Sequence, residues 1–230
     1  MLIVLNHKMN LTLDEILKYE RAIRNLDVVV MPQIPYMGIF TEGNYILGSQ
    51  YISEYTATGG ISAASLVSMD VKYVLIGHAE RRSLDMENDL MIAKKIIDII
   101  NNKMIPIMCV GETAEERSQG ESLKVIENQI CNVLDVIEGK PTGLMIAYEP
   151  VWSIGTSEMP TPVEIMGMFE YIRIVCKDKY QLPVKLIYGG SINSSNVETI
   201  LSVKTLDGLL IGGASLDLEE VKRIYQIVKK

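Results

Sequence analysis

The chain has 230 residues, 48% hydrophobic and 22% charged, which allows a sizeable core and is too apolar for a disordered polymer. Its 22 Lys and Arg against 29 Asp and Glu give a formal charge of -7, the wrong sign for a general nucleic-acid binder. An anionic ligand therefore has to be held by a local site, and no apolar run approaches the roughly 18 residues of a membrane span.

The first apolar run, 2–5, is cut off by Asn6, His7 and Lys8, far short of a secretory signal, and a helical period follows over 13–25. Val- and Ile-rich runs at 28–31 and 45–48 come next, with little helical signal after Pro32 and a weak one over 62–69. The run 73–76 leads to a helix at 89–102, where Leu90, Ala93, Ile97 and Ile100 keep a 3/4 spacing along one face. Then 105–110, 144–148, 185–188 and 208–211 read as strands, followed by helices at 122–137, 162–179, 196–203 and 218–229. Cys109, Cys131 and Cys176 are an odd number at wide spacings, without the paired pattern of a zinc site or a disulfide scaffold, which fits a reducing cytoplasm.

The predicted strands lack polar alternation, as expected of parallel strands buried on both faces. Polar or glycine residues end them at 8, 32, 50, 78, 111, 149, 190 and 213, at spacings near the ~30 residues of one βα unit. Such units, with no linker or composition break, predict one closed (β/α)8 barrel over 1–230; an open doubly wound sheet fits the same periodicity.

In a barrel of this kind the ligand site lies where strands end. Lys8 follows the first strand, His78 the fourth and Glu149 the sixth. Each alone has a plain structural explanation: a solvated charge, a helix cap, half of an ion pair. Together they place a cation, an imidazole and a carboxylate on one mouth, which a fold alone does not require. Gly155, Gly189-Gly190-Ser191 and Gly212-Gly213 form a second constellation. Glycine pairs after the seventh and eighth strands suit a phosphate held by backbone N–H groups and a short helix N-terminus.

The segments Asn6-His7-Lys8-Met9-Asn10, Ile76-Gly77-His78-Ala79-Glu80-Arg81-Arg82, Cys109-Val110-Gly111-Glu112-Thr113, Ala147-Tyr148-Glu149-Pro150-Val151-Trp152-Ser153-Ile154-Gly155-Thr156, Tyr188-Gly189-Gly190-Ser191 and Asp207-Gly208-Leu209-Leu210-Ile211-Gly212-Gly213-Ala214-Ser215-Leu216 resemble, in order, the motifs of the triosephosphate isomerase family. The resemblance spans nearly the whole chain and implies a single-domain TIM barrel. It further implies a glycolytic and gluconeogenic isomerase that interconverts dihydroxyacetone phosphate and D-glyceraldehyde 3-phosphate through an enediol(ate), without metal or organic cofactor. By the same resemblance, Glu149 is the base, His78 the electrophile and Lys8 the electrostatic stabiliser. Asn6, Lys8, Gly155, Ser191, Gly212 and Gly213 would bind substrate. Glu80, Cys109, Trp152 and Tyr188 would support them, with Cys109 as packing rather than nucleophile. The segment 150–160 resembles the family's lid, with Trp152 at its first hinge and Tyr188 and Ser191 as its latch. A cytoplasmic homodimer, with the third loop near Thr58 at its interface, completes the expectation.

Four departures stand out. His7 replaces the family's usual Trp and reads as a packing substitution. The second lid hinge is Ser157-Glu158-Met159-Pro160, and Pro160 biases Met159 away from the helical region. Loop 50–60 is about three residues shorter than usual by eye. Tyr51 and Gly60 there replace Asn and Glu, removing a carboxylate expected to meet an arginine across the interface. Asp85-Met86 replaces Phe-Gly and has no evident reading. Two rivals remain on sequence grounds: a catalytically silent phosphate-binding barrel, and another phosphosugar isomerase or epimerase. Lys8, His78 and Glu149 together argue against the first. Two histidines in the whole chain argue against a metal-dependent epimerase.

Overall fold

The computed structural model describes residues 1–156 and 158–230. Eight parallel strands among them close into a barrel in sequence order: β1 (Leu2–Asn6), β2 (Val29–Met31), β3 (Ile46–Ser49), β4 (Tyr73–Ile76), β5 (Ile105–Val110), β6 (Met145–Tyr148), β7 (Lys185–Tyr188) and β8 (Gly208–Ile211). Closure is made by β1 against β8, with Leu2 opposite Gly208 and Leu5 opposite Ile211. The helices are α1 (Leu13–Ile23), α2 (Ala63–Ser68), α3 (Ala79–Leu84), α4 (Asp89–Asn101), α5 (Ala114–Ser118), α6 (Ser122–Leu134), α7 (Pro162–Tyr180), α8 (Val197–Leu201) and α9 (Leu218–Val228).

Two apolar layers explain why the strands carry no polar alternation. Val4, Val29, Leu75, Ile107, Ala147, Ile187 and Leu210 fill the barrel interior, while Ile3, Leu5, Val30, Ile76, Ile146 and Leu209 pack outward against the helices. Gly48 leaves room inside for Met31: a Cβ there would lie 2.9 Å from the methionine side chain. The open doubly wound alternative is thereby excluded.

Several element boundaries differ from the sequence expectation. The third strand runs one residue later, because Tyr45 turns into the outer core and its hydroxyl donates to Glu20 at 2.8 Å. The predicted helix 122–137 stops at Leu134, where Ile137 N–H closes a tighter turn onto Leu134 O. By contrast α7 runs one residue past its expected end and stops at Gln181, which takes the left-handed conformation at φ 50°. Short elements that were not predicted include α3, the 3-10 helices at Ile34–Ile39 and Val151–Ser153, and α5, which is opened by a capping box from Thr113 and Glu116.

Candidate active site

Every strand ends at the same rim, and the rim surrounds a cavity of about 510 Å³ lined by Asn6, Lys8, His78, Glu149, Gly155, Gly190, Ser191, Gly212 and Gly213 among others. His78 Nε2 lies 3.3 Å from Glu149 Oε1, and Lys8 Nζ lies 2.6 Å from Glu80 Oε1. The structure thus brings the three predicted chemical groups together.

Each is positioned by its local backbone. Lys8 has φ 50°, a left-handed conformation that turns the chain sharply off β1. Asn6 Oδ1 accepts the Lys8 N–H at 3.0 Å. Gln50 donates to both Lys8 O and Met31 O at 2.8 Å. Sequence reasoning missed this role of Gln50; its only signal was a polar side chain directly after a strand.

His78 caps α3, and its Nδ1 accepts the Glu80 N–H at 3.2 Å. That bond needs a lone pair on Nδ1, so the network assigns the neutral ring's proton to Nε2, the nitrogen facing Glu149.

Glu149 is 2% exposed, and its Oε2 makes no hydrogen bond among the described residues. Two glycines make space for it. A Cβ on Gly111 would fall 1.8 Å from Glu149 O, and one on Gly189 would fall 2.8 Å from Glu149 Cγ. Burial pushes the Cys109 thiol well above its ordinary range, and the adjacent Glu149 carboxylate adds to the shift, so Cys109 is protonated packing.

On the far side of the cavity, Gly155 has φ 73° and Gly213 begins a 3-10 helix, Gly213–Leu216. Ser215 Oγ donates to Gly212 O at 2.6 Å and approaches Asn6 O at 3.1 Å, which ties the end of β8 to the end of β1. Trp152 Nε1–H donates to Glu112 at 2.8 Å, Tyr148 donates to the same oxygen at 3.0 Å, and the Arg117 guanidinium stacks 4.2 Å from the Trp152 ring. Glu112, fully buried, is a second supporting residue that the sequence showed only as part of a motif.

Ser191 Oγ donates to Ser153 O at 2.7 Å and lies 2.9 Å from Thr156 O, so it contacts the expected lid. The Tyr188 hydroxyl is buried beside the Ser153 side chain at the base of the expected lid; burial pushes it up to about 12, and Ser153 works in the opposite direction. Ser157, the start of the expected second hinge, lies outside the described residues; Pro160 is buried just before α7.

His7 is fully buried, edge-on to Tyr19 with centroids 4.4 Å apart. Burial lowers its pKa to about 4, so it adds no second cation beside Lys8. Loop 50–60 is pinned at its base by Ser53 and Ile61, and its tip at Thr58 is exposed. Arg81 pairs with Asp85 at 2.9 Å and stacks 4.1 Å from the Tyr51 ring, so Asp85 engages an arginine of its own chain. Among the described residues no group of three potential metal ligands converges, and no helix is long and apolar enough to cross a membrane.

A family model described as triosephosphate isomerase matches residues 1–228. The chain is 36% identical over 220 residues to the triosephosphate isomerase of Colwellia psychrerythraea, covering 89% of this chain and 86% of that protein. It is 35% identical over 242 residues to that of Aquifex aeolicus, covering 97% of each, and 35% identical over 213 residues to that of Thermus thermophilus, covering 87% of this chain and 85% of that protein.

Proposed function

Because the chain belongs to the triosephosphate isomerase family and interconverts dihydroxyacetone phosphate and D-glyceraldehyde 3-phosphate, we propose that Glu149, His78 and Lys8 perform this step at the strand-end cavity. The observation that carries the assignment is the 3.3 Å approach of His78 Nε2 to a buried carboxylate whose second oxygen is free. Glu149 takes the proton from the carbon beside the carbonyl and returns it to the neighbouring carbon. His78 donates from Nε2 to the oxygens on which charge develops. The bond from Glu80 N–H to Nδ1 supports a neutral donor, as does the positive end of α3.

Lys8 supplies fixed positive charge to the phosphate and to the enediolate, and Glu80 holds its ammonium. Backbone N–H groups around Gly155, Ser191, Gly212 and Gly213 receive the phosphate, with Asn6 supporting Lys8. The segment 150–160 acts as the lid, closing to exclude water and hold the enediolate against phosphate loss. Trp152 sets its first hinge, Ser191 latches it, and Tyr188 packs beneath. The reaction uses no metal or organic cofactor.

A coupled assay on glyceraldehyde 3-phosphate, run in chelator, tests the assignment. Glu149→Gln is expected to lose about 10³-fold in kcat with its fold intact; equal activity in the two proteins removes Glu149 as the base.

The assembly is a homodimer in the cytoplasm, a reading supported by large apolar side chains exposed in the segments after β1 and β4, including Met9 at 81%, Leu84 at 79% and Met86 at 75%, and by three free cysteines. The loop around Thr58 contributes to the same face, weakened by its shortness and by the inward pairing of Arg81. Sedimentation that gives only monomer at micromolar concentration overturns this.

A further inference from the structure

Behind His78, outside the substrate cavity, lies a fully buried ion pair to which the mechanism above gives no task. Glu87 and Lys95 are 4% and 1% exposed, and Lys95 Nζ donates to Glu87 Oε1. The other carboxylate oxygen accepts the N–H of Gly77 at 2.9 Å. Gly77 directly precedes His78 and has φ 65°; a Cβ there would lie 2.8 Å from Ile92, so this peptide has no room to slide toward α4. Its carbonyl accepts from Arg82 Nε at 2.9 Å, and Arg82 is held in turn by Asp89 at 2.7 Å. The residue that precedes His78 is therefore gripped by charged side chains on both its N–H and its C=O.

The other side of Lys95 is closed by Tyr51, whose ring centroid lies 4.3 Å from Nζ and 4.1 Å from the Arg81 guanidinium on its other contact. Tyr51 is the residue that stands where the resembling family has Asn.

We propose that Glu87 is a positioning residue for the isomerisation: its carboxylate fixes the Gly77 peptide and through it the His78 ring, while Lys95 and Tyr51 hold that carboxylate in place. A buried ion pair contributes little net stability against an apolar pair of like volume, so stability alone does not account for it. A fixed acceptor for one specific peptide N–H does, because small displacements of a hydrogen-bonding catalytic group cost rate steeply. The proposal rests on His78 being the electrophile.

Removing one partner strands the other as a buried charge, so the test uses paired substitutions. E87Q/K95M removes both charges but keeps an acceptor for Gly77 N–H; E87L/K95M removes the acceptor as well. The Gln pair is expected to keep kcat within about threefold, and the Leu pair to lose roughly 10- to 100-fold with KM little changed. Ring-nitrogen resonances of His78 should move in the Leu pair only. Equal kcat and unmoved resonances in the two folded proteins overturn the proposal.

Should the Leu pair not fold, the comparison passes to Tyr51→Leu against Tyr51→Phe at concentrations where both sediment like the wild type. A lower kcat and moved His78 resonances in the Leu variant alone support the clamp; wild-type values in both overturn it. His78→Gln separates the two levels of argument: full activity there sinks the role of His78 itself, whereas inactivity there with an indifferent Glu87 sinks only the clamp.

Discussion

At the ends of β1 and β4, Lys8 and His78 sit on backbone held by side chains. Asn6 and Gln50 take the two polar groups of the Lys8 peptide, and Glu87 and Arg82 take those of Gly77. Between β6 and α7 the chain is held differently. Gly155 stands at φ 73°, and the side-chain bonds of Thr156 and Ser191 run from neutral hydroxyls to backbone. Bonds to charged groups contribute about 1.5–3 kcal/mol each and neutral ones about 1 kcal/mol, so Gly77, held by Glu87 and Arg82, is gripped more firmly than Thr156, held by neutral hydroxyls. In the proposed mechanism the electrophile and the cation stand on the β1 and β4 ends, and the base Glu149 stands at the end of β6, where the more loosely held segment begins.

The comparison breaks most visibly at Lys8. Lys8→Met keeps the aliphatic stem and deletes the charge, and kcat is expected to fall about 10²- to 10³-fold with circular dichroism unchanged. A loss of less than tenfold would mean that charge at the β1 end is dispensable.

Next in size is the stability of the same corner. His7 keeps its ordinary value of 6.5 in the unfolded chain and about 4 when buried. Between those values the unfolded chain binds the extra proton, so stability rises with pH through the window. The contribution is fully present above pH 6.5, and about 3 kcal/mol of it is lost as pH falls to 4. Denaturant titrations at pH 7 and pH 4.5 measure this, and His7→Phe should shrink the difference between them. An unchanged difference would assign the acid sensitivity to other groups.

On the lid side, a Cβ on Gly190 would lie 2.1 Å from the Tyr188 hydroxyl. Gly190→Ala should therefore destabilise by roughly 1–3 kcal/mol and raise KM, since Gly190 lines the phosphate end. Adding Tyr188→Phe removes the clashing oxygen and should recover part of both losses. Without recovery, the clash is not with the hydroxyl.

The difference between the two regions also decides what was legible in the sequence. Barrel order, helix faces and the strand-end trio follow from periodicity and from residue types at strand ends, because parallel strands must bury both faces and the rim must collect whatever follows them. Gly111 was read as a strand end and Gly189 as part of a phosphate cradle, and what they make room for proved to be Glu149 itself. Gln50, Glu112 and Glu87 were not legible as supports. Gln50 and Glu112 act through contacts distant in sequence, 42 residues from Gln50 to Lys8 and 40 from Trp152 to Glu112, and Glu87 reaches Gly77 across a turn 10 residues away; no helical or strand period carries these pairings. Tyr188 was read as a latch from its motif alone, and its buried hydroxyl lies beside Ser153 of the lid.

The smallest expected effect tests whether the moving side is as loose as its bonds suggest. Pro160 fixes φ and lacks an N–H. It precedes Thr161, whose N–H donates to Glu164 at 2.7 Å in the capping box that opens α7. The lid thus ends on one stiff residue and is followed by another. Pro160→Ala releases one of them and costs about 0.4–1 kcal/mol through the unfolded chain, a range that corresponds to a few-fold change in a local equilibrium. Trp152, the single tryptophan, reports the first hinge, so temperature-jump fluorescence should show lid exchange several-fold faster. Turnover follows only if opening limits it. Unchanged exchange would move the stiffness of this end from Pro160 to the capping box, and Thr161→Ala would then be the variant that loosens it.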